Sequence, residues 1–132
     1  MLVDTSGWFA FFDRDAKPHQ DAVTYFHAAP HRLTHSYIIA EFIPLAAVRG
    51  HPRALVLTFV EQLQQNPLVE VVYVDQALHQ SALVLLRSRL DKTWSLCDAV
   101  SFVLMQQCGT NEALTTDHHF EQMGLVRLLD PK

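Results

Sequence analysis

A chain of 132 residues, 49% hydrophobic and 18% charged, has the size and apolar content of one globular domain and is too short for two. Its formal charge of -4 excludes nucleic-acid binding through a general surplus of Lys and Arg, and no apolar run approaches the ~20 residues that span a bilayer. The opening MLVDTSGWFAFF is interrupted by Asp4 and has no basic leader, so no secretory signal is expected. Cys97 and Cys108 lie in an apolar segment without the spacing of a disulfide or zinc framework. Both are expected to be buried thiols, and the chain is expected in a reducing cytoplasm.

Leu2 to Thr5 reads as a short strand, and Ser6 as the N-cap of a helix carrying Trp8, Phe9, Phe11 and Phe12. Pro18 opens a second helix whose inner face is Ala22, Val23, Tyr25 and Phe26. After a turn at Pro30, Arg32 to His35 forms a strand. A strongly apolar helix follows from about Tyr37 to Val48, with Gly50 ending it, and Pro52 introduces another over Ala54 to Gln64. The β-branched run Val69 to Val74 predicts a buried strand. Asp75 caps a helix through Leu83, Leu85 and Leu86 to about Arg89, and Ser95 caps the next, Leu96 to Cys108. Glu112 to Thr115 is a strand, Asp117 to Met123 a short helix and Val126 to Leu129 a last strand. Short strands alternating with helices predict a single three-layer α/β/α domain over residues 1–132, its mostly parallel sheet joined by right-handed crossovers. Ligands in such folds bind beyond the carboxyl ends of the strands.

A few acids interrupt apolar elements. Asp4 ends the first strand. Glu41 is the only charged residue between Tyr37 and Val48, in a helix apolar on nearly every face and therefore expected in the core. Asp98 and Ser101 are the strongly polar residues of LCDAVSFVLM, three apart on one helix face. Asp117 follows the strand ending at Thr115, on the same rim as Asp4. An ionised carboxylate buried without a partner costs several kcal/mol, so each of these needs neutralisation, a counter-charge or a metal. No basic residue stands within helical reach of Asp98, and Arg49 is not an i±3 or i±4 neighbour of Glu41. A distant Arg87 or Arg89 would satisfy Glu41 or Asp98 equally, and Asp117 and Asp4 also suit capping positions. Ser101 suits a bond to a carbonyl of its own helix. His118 and His119 are adjacent, so on a helix they point to different sides. Hard oxygen ligands converging from separate elements suit Mg²⁺ or Mn²⁺.

The segments VDTS, Glu41 in its apolar helix, SLCDAVSF and TTDHHF together resemble the four motifs of the PIN-domain family, particularly the bacterial VapC-type toxins, in order and spacing over nearly the whole chain. The resemblance implies an acidic quartet of Asp4, Glu41, Asp98 and Asp117, with Thr5, Ser6, Ser101 and Thr115 as supporting polar residues. It also implies a ribonuclease using one or two Mg²⁺ or Mn²⁺ ions, an RNA substrate, a homodimer and a small antitoxin partner. A catalytically silent interaction module and a housekeeping nuclease without an antitoxin are the alternatives. Pro44, three residues after Glu41, removes a helical backbone bond, and a kink there would change how Glu41 is presented.

With four of the 14 acids committed to metal, the remaining ten balance the ten Lys and Arg. Arg14, Lys17, Arg49, Arg53, Arg87, Arg89 and Lys92 are then either a phosphate-binding rim or ordinary solvated charges. No GxGxxG or GxxxxGK[ST] is present. Position 6 is Ser where an aspartyl phosphatase carries its second Asp, and the acidic pair and late Lys of a receiver domain are missing.

Overall fold

The computed structural model describes residues 1–131. Its elements alternate as expected: β1 (Leu2–Val3), α1 (Thr5–Phe12), α2 (His19–Ala28), β2 (Arg32–His35), α3 (Ser36–Val48), α4 (Arg53–Gln65), β3 (Val69–Val72), α5 (Gln76–Ser88), α6 (Leu96–Cys108), β4 (Glu112–Leu114), α7 (His119–Gln122) and β5 (Val126–Arg127). Every strand pairing is parallel, and the sheet order is β3-β2-β1-β4-β5. The chain moves from β1 to β2 on one side, and β4 later returns to the other. The carboxyl ends of β1 and β4 therefore flank the switch point where open parallel sheets bind ligands.

The core explains why α1 lies so close to the sheet. Trp8 is 1% exposed and packs against Phe11, Phe26 and Phe59 at centroid distances of 6.2, 5.8 and 6.1 Å. Its indole Nε1 donates to Thr34 Oγ1 (3.0 Å), whose own hydroxyl donates to the Val3 carbonyl (3.1 Å), so no polar atom of the trio is left unsatisfied. Gly7 permits the approach: a Cβ there would sit 1.9 Å from the Leu114 carbonyl oxygen. At the far side, Ser101 donates to the Cys97 carbonyl (3.1 Å), so the 2.8 Å contact between Ser101 Oγ and His35 must carry the Nε2 hydrogen of the imidazole. That tautomer leaves Nδ1 to accept from the Ile38 N–H (3.4 Å). Burial drives the His35 pKa down to about 3, and the neutral ring acts as a strut between β2 and α6.

Several local expectations are corrected. Asp4, not Ser6, is the N-cap residue of α1, because the helix begins at Thr5. Val69–Val72 is an edge strand with only Val69 buried, since its β-branched residues pack on one neighbour, β2, instead of two. Tyr25, expected on the inner face of α2, is 40% exposed, the burial in that helix falling to Ala22 and Phe26. Cys108, at the last turn of α6, is exposed while Cys97 is buried. Helix α3 runs through Pro44 without a break, and Gly50 (φ +88°) follows its Arg49 cap. No helix among the described residues is long and apolar enough to cross a membrane.

Candidate active site

Four elements deliver the acids to one place. Asp4 leaves the end of β1, Glu41 projects from the second turn of α3, Asp98 from the first turn of α6, and Asp117 from the segment after β4. With Thr5, Ser6, Leu45, Thr93, Ser95, Thr116 and His119 they line an open pocket of about 430 Å³. A larger depression of about 760 Å³, lined by Leu83, Val84, Leu86, Arg87, Ser88 and Leu90, contains no acid or imidazole. It offers shape but no reacting group, so the acidic pocket is the candidate site.

Asp4 is the most constrained member. Only 4% exposed, it accepts from Thr115 Oγ1 through Oδ2 at 2.9 Å, and its side chain makes no helix-capping bond. Burial pushes its pKa up to about 7; the Thr115 hydroxyl pulls it down, and the carboxylates of Asp98 and Asp117 push it further up. Thr115 is the hub of this end. Its single hydrogen goes to Asp4, so it accepts from both the Asp117 N–H (3.0 Å) and the Ser6 hydroxyl (3.1 Å). Ser6 in turn accepts from the Thr116 N–H at 3.0 Å. The small hydroxyl residues thus lock the segment after β4 against the start of α1 and aim the Asp4 carboxylate.

Asp98 has two structural duties already. As the third residue of α6 it completes a capping box: Ser95 Oγ accepts from the Asp98 N–H (2.9 Å), and Asp98 Oδ2 accepts from the Ser95 N–H (3.1 Å). The same Oδ2 lies 3.0 Å from His119 Nδ1. Asp117 also works locally, its Oδ1 accepting from the His119 N–H at 2.9 Å. Glu41 accepts from Thr5 Oγ1 at 2.8 Å. It is exposed, which corrects the expectation of a core position. Helix α3 buries Ile38, Ile39, Phe42 and Ala46, and its apolar composition hides one open side at Ala40 and Glu41.

Neither arginine proposed as a partner reaches the acids: Arg89 pairs with Asp91 at 3.1 Å, and no contact from Arg87 to either acid is found among the described residues. Ser101 is fully buried on His35 and is not among the residues lining the pocket. Two contributors were missed. Cys97 sits close enough that burial and then the Glu41 and Asp4 carboxylates raise its thiol pKa, keeping it protonated and unreactive. His119 is the second, at 18% side-chain exposure, its Nδ1 3.0 Å from Asp98 and 3.5 Å from Asp117. His118 and His119 face different surroundings, at 69% and 18% side-chain exposure, and α7 begins only at His119. His118 is its cap residue, and the two ring centroids are 4.5 Å apart.

The donor set fits a hard divalent cation. It offers carboxylate oxygens from four elements around one pocket, one of them buried and without a cationic partner among the described residues.

A search of curated protein sequences finds no match. Among solved structures, VapC20 of Mycobacterium tuberculosis, described as a sarcin-ricin loop cleaving toxin, superposes with a TM-score of 0.87 at 23% sequence identity, covering 97% of this chain and 98% of that one. At that identity the likeness establishes the fold. The family model of the PIN domain matches residues 1–125, and with nearly the full length accounted for, the chain belongs to the PIN-domain family.

Proposed function

We propose that this protein is a divalent-metal-dependent ribonuclease, with Asp4, Glu41, Asp98 and Asp117 as the metal-holding acids and Mg²⁺ or Mn²⁺ as the ion. The observation that carries the reading is the buried Asp4 carboxylate, held at a pKa of about 7 beside Asp98 and Asp117. A fold gains nothing from such a group unless a cation occupies the pocket it faces. When bound, an ion supplies positive charge to a phosphodiester and acidifies water for attack on it.

The residues of the chain do the rest. Thr115 and Ser6 fix the Asp4 oxygen, and the α6 capping box fixes Asp98. Glu41, exposed at the rim with its Thr5 bond, is placed to accept a proton from water entering the pocket. Asp117 and His119 close the opposite wall. The proposal extends to the toxin of a toxin-antitoxin pair, with a small antitoxin and a homodimeric state in the cytoplasm, and its support is the likeness to VapC20.

The test is cleavage of a panel of structured RNAs, including a sarcin-ricin loop oligonucleotide because VapC20 is described as cleaving that loop. Each is incubated in EDTA, Mg²⁺ or Mn²⁺ with wild type, Asp98→Asn and the exposed control Glu61→Gln. Cleavage that needs metal, is lost in Asp98→Asn and persists in Glu61→Gln supports the nuclease. Folded protein that binds neither ion overturns it and leaves an interaction module.

A further inference from the structure

Where Asp117 and His119 line the pocket, with the exposed His118 beside them, the chemistry differs from the rest. Elsewhere the pocket offers oxygen, the ligand of Mg²⁺, but here two imidazoles stand beside a carboxylate. Asp117 Oδ1 is 3.7 Å from His118 Nδ1 and 3.5 Å from His119 Nδ1, and one ligand atom from each residue falls within 4.8 Å of the other two. Four ligands at the ~2.0–2.1 Å typical of zinc stand about 3.4 Å from one another in a tetrahedron. The two edges from Asp117 lie within a few tenths of an ångström of that value, and the histidine ligand atoms stay within 4.8 Å of each other. Asp98 Oδ2, 3.0 Å from His119 Nδ1, is a further oxygen beside this group.

We propose that Asp117, His118 and His119, completed by Asp98 or water, form a carboxylate–imidazole site for Zn²⁺ on the wall of the acidic pocket, and that its occupation inhibits the enzyme.

Ligand softness selects the ion: imidazole suits zinc and its neighbours, whereas Mg²⁺ keeps to oxygen and water. The exposure of the ligands is graded from the pocket wall outward. His119 is held in the wall at 18% side-chain exposure, Asp117 is at 30%, and His118, at 69%, lies outermost. Binding through Nδ1 of His119 leaves the hydrogen on Nε2, and Thr93 Oγ1 lies 3.4 Å from that nitrogen to accept it. Because Asp117 belongs to both sites, a Zn²⁺ ion here withdraws an oxygen from the metal pocket and, at Asp98, competes for another. This inhibitory part rests on the nuclease reading; the binding part does not.

The test is calorimetric titration of the metal-free protein with Zn²⁺ and, separately, Mg²⁺, using wild type, His118→Asn, His119→Asn and the double variant, with folding checked by circular dichroism. The Zn²⁺ dissociation constant is expected to rise at least ~10-fold in each single variant, the lower edge of what losing even an outer hydrogen-bond partner of a metal ligand costs. Mg²⁺ binding should move by less than about threefold in His118→Asn, since a hard ion gains little from imidazole. Co²⁺ gives an independent reading: an intense visible band of a low-coordinate nitrogen–oxygen site in wild type, lost in the double variant. In the cleavage assay, the Zn²⁺ concentration that halves Mg²⁺-supported activity should rise at least ~10-fold in His118→Asn. Equal Zn²⁺ affinity in wild type and the folded double variant overturns the site. Metal-dependent RNA cleavage with that same indifference to the histidines overturns this site alone. Histidine-dependent Zn²⁺ binding without any metal-dependent cleavage upholds the site and removes the nuclease reading.

Discussion

Replacing Asp4 by Asn should stabilise the metal-free protein at neutral and alkaline pH, although it removes a residue of the proposed active site. The folded-state pKa of Asp4 is raised from 3.8 to about 7, mainly by burial. Below pH 4 the carboxyl is protonated in both folded and unfolded chains and costs nothing. As the pH climbs from 4 to 7 the unfolded chain releases the proton while the folded one retains it, so stability falls through that window and stays low above it. At about 1.4 kcal/mol per unit the full loss is about 4 kcal/mol. Asn keeps the shape, and its Oδ1 still accepts from Thr115. The variant should therefore regain about 2 to 4 kcal/mol at pH 8, or about 8 to 16 °C in Tm for a chain of this length. Thermal melts in EDTA at pH 4.5 and 8 measure it: the difference should be near zero at the lower pH and appear at the higher. Adding Mn²⁺ at pH 8 should reverse the order, stabilising wild type and leaving the variant unmoved. An Asn variant no more stable than wild type at pH 8 in EDTA would refute the claim that Asp4 is a strained, metal-seeking carboxylate.

Three further outcomes follow from the same geometry. Thr115→Val removes the hydroxyl that holds the Asp4 pKa down, so Asp4 should keep its proton to higher pH and the midpoint pH of Mn²⁺ binding should shift upward, as read by calorimetry at several pH values. Ser95→Ala breaks one half of the α6 capping box and should cost about 1 kcal/mol in urea unfolding, with weaker metal binding because Asp98 loses its fixed rotamer. Gly7→Ala drives a methyl group to 1.9 Å from the Leu114 carbonyl oxygen, and since backbone must move, a loss of about 3 kcal/mol is expected; an unchanged urea midpoint would show that α1 does not need this approach to β4.

The alternation of strands and helices and the parallel sheet were legible because they rest on local signals: β-branched runs, Pro and Gly at element ends, and Ser95 and Asp75 at their caps. The same signals misjudged anything decided by neighbours. Val69 to Val74 has the composition of a buried strand, yet an edge position follows from strand order, which composition does not encode. Glu41 looked buried because the other eleven residues from Tyr37 to Val48 are uncharged and mostly apolar, while α3 in fact buries only one side. His35 and Ser101 pair across 66 residues. Ser101 therefore reads in sequence as a companion of Asp98, when its bonds make it a strut that fixes the helix on which Asp98 rides.

The placement of Asp98 shows why the acids stood out in sequence while the imidazoles did not. A lone Asp in an apolar helix has no purpose in the helix interior, so its presence points outside local structure. It then proves to be at the third position of α6, where it completes a capping box and also faces the pocket. Stability and function share this residue, and Asp98→Asn should weaken both the cap and the site. His118 and His119 carry no such anomaly. They are ordinary residues for the start of a short helix, and only the folded structure shows both rings beside Asp117. A side chain out of place in its own element announces itself to a reader of the sequence. One that is in place locally becomes informative only when the fold supplies its partners.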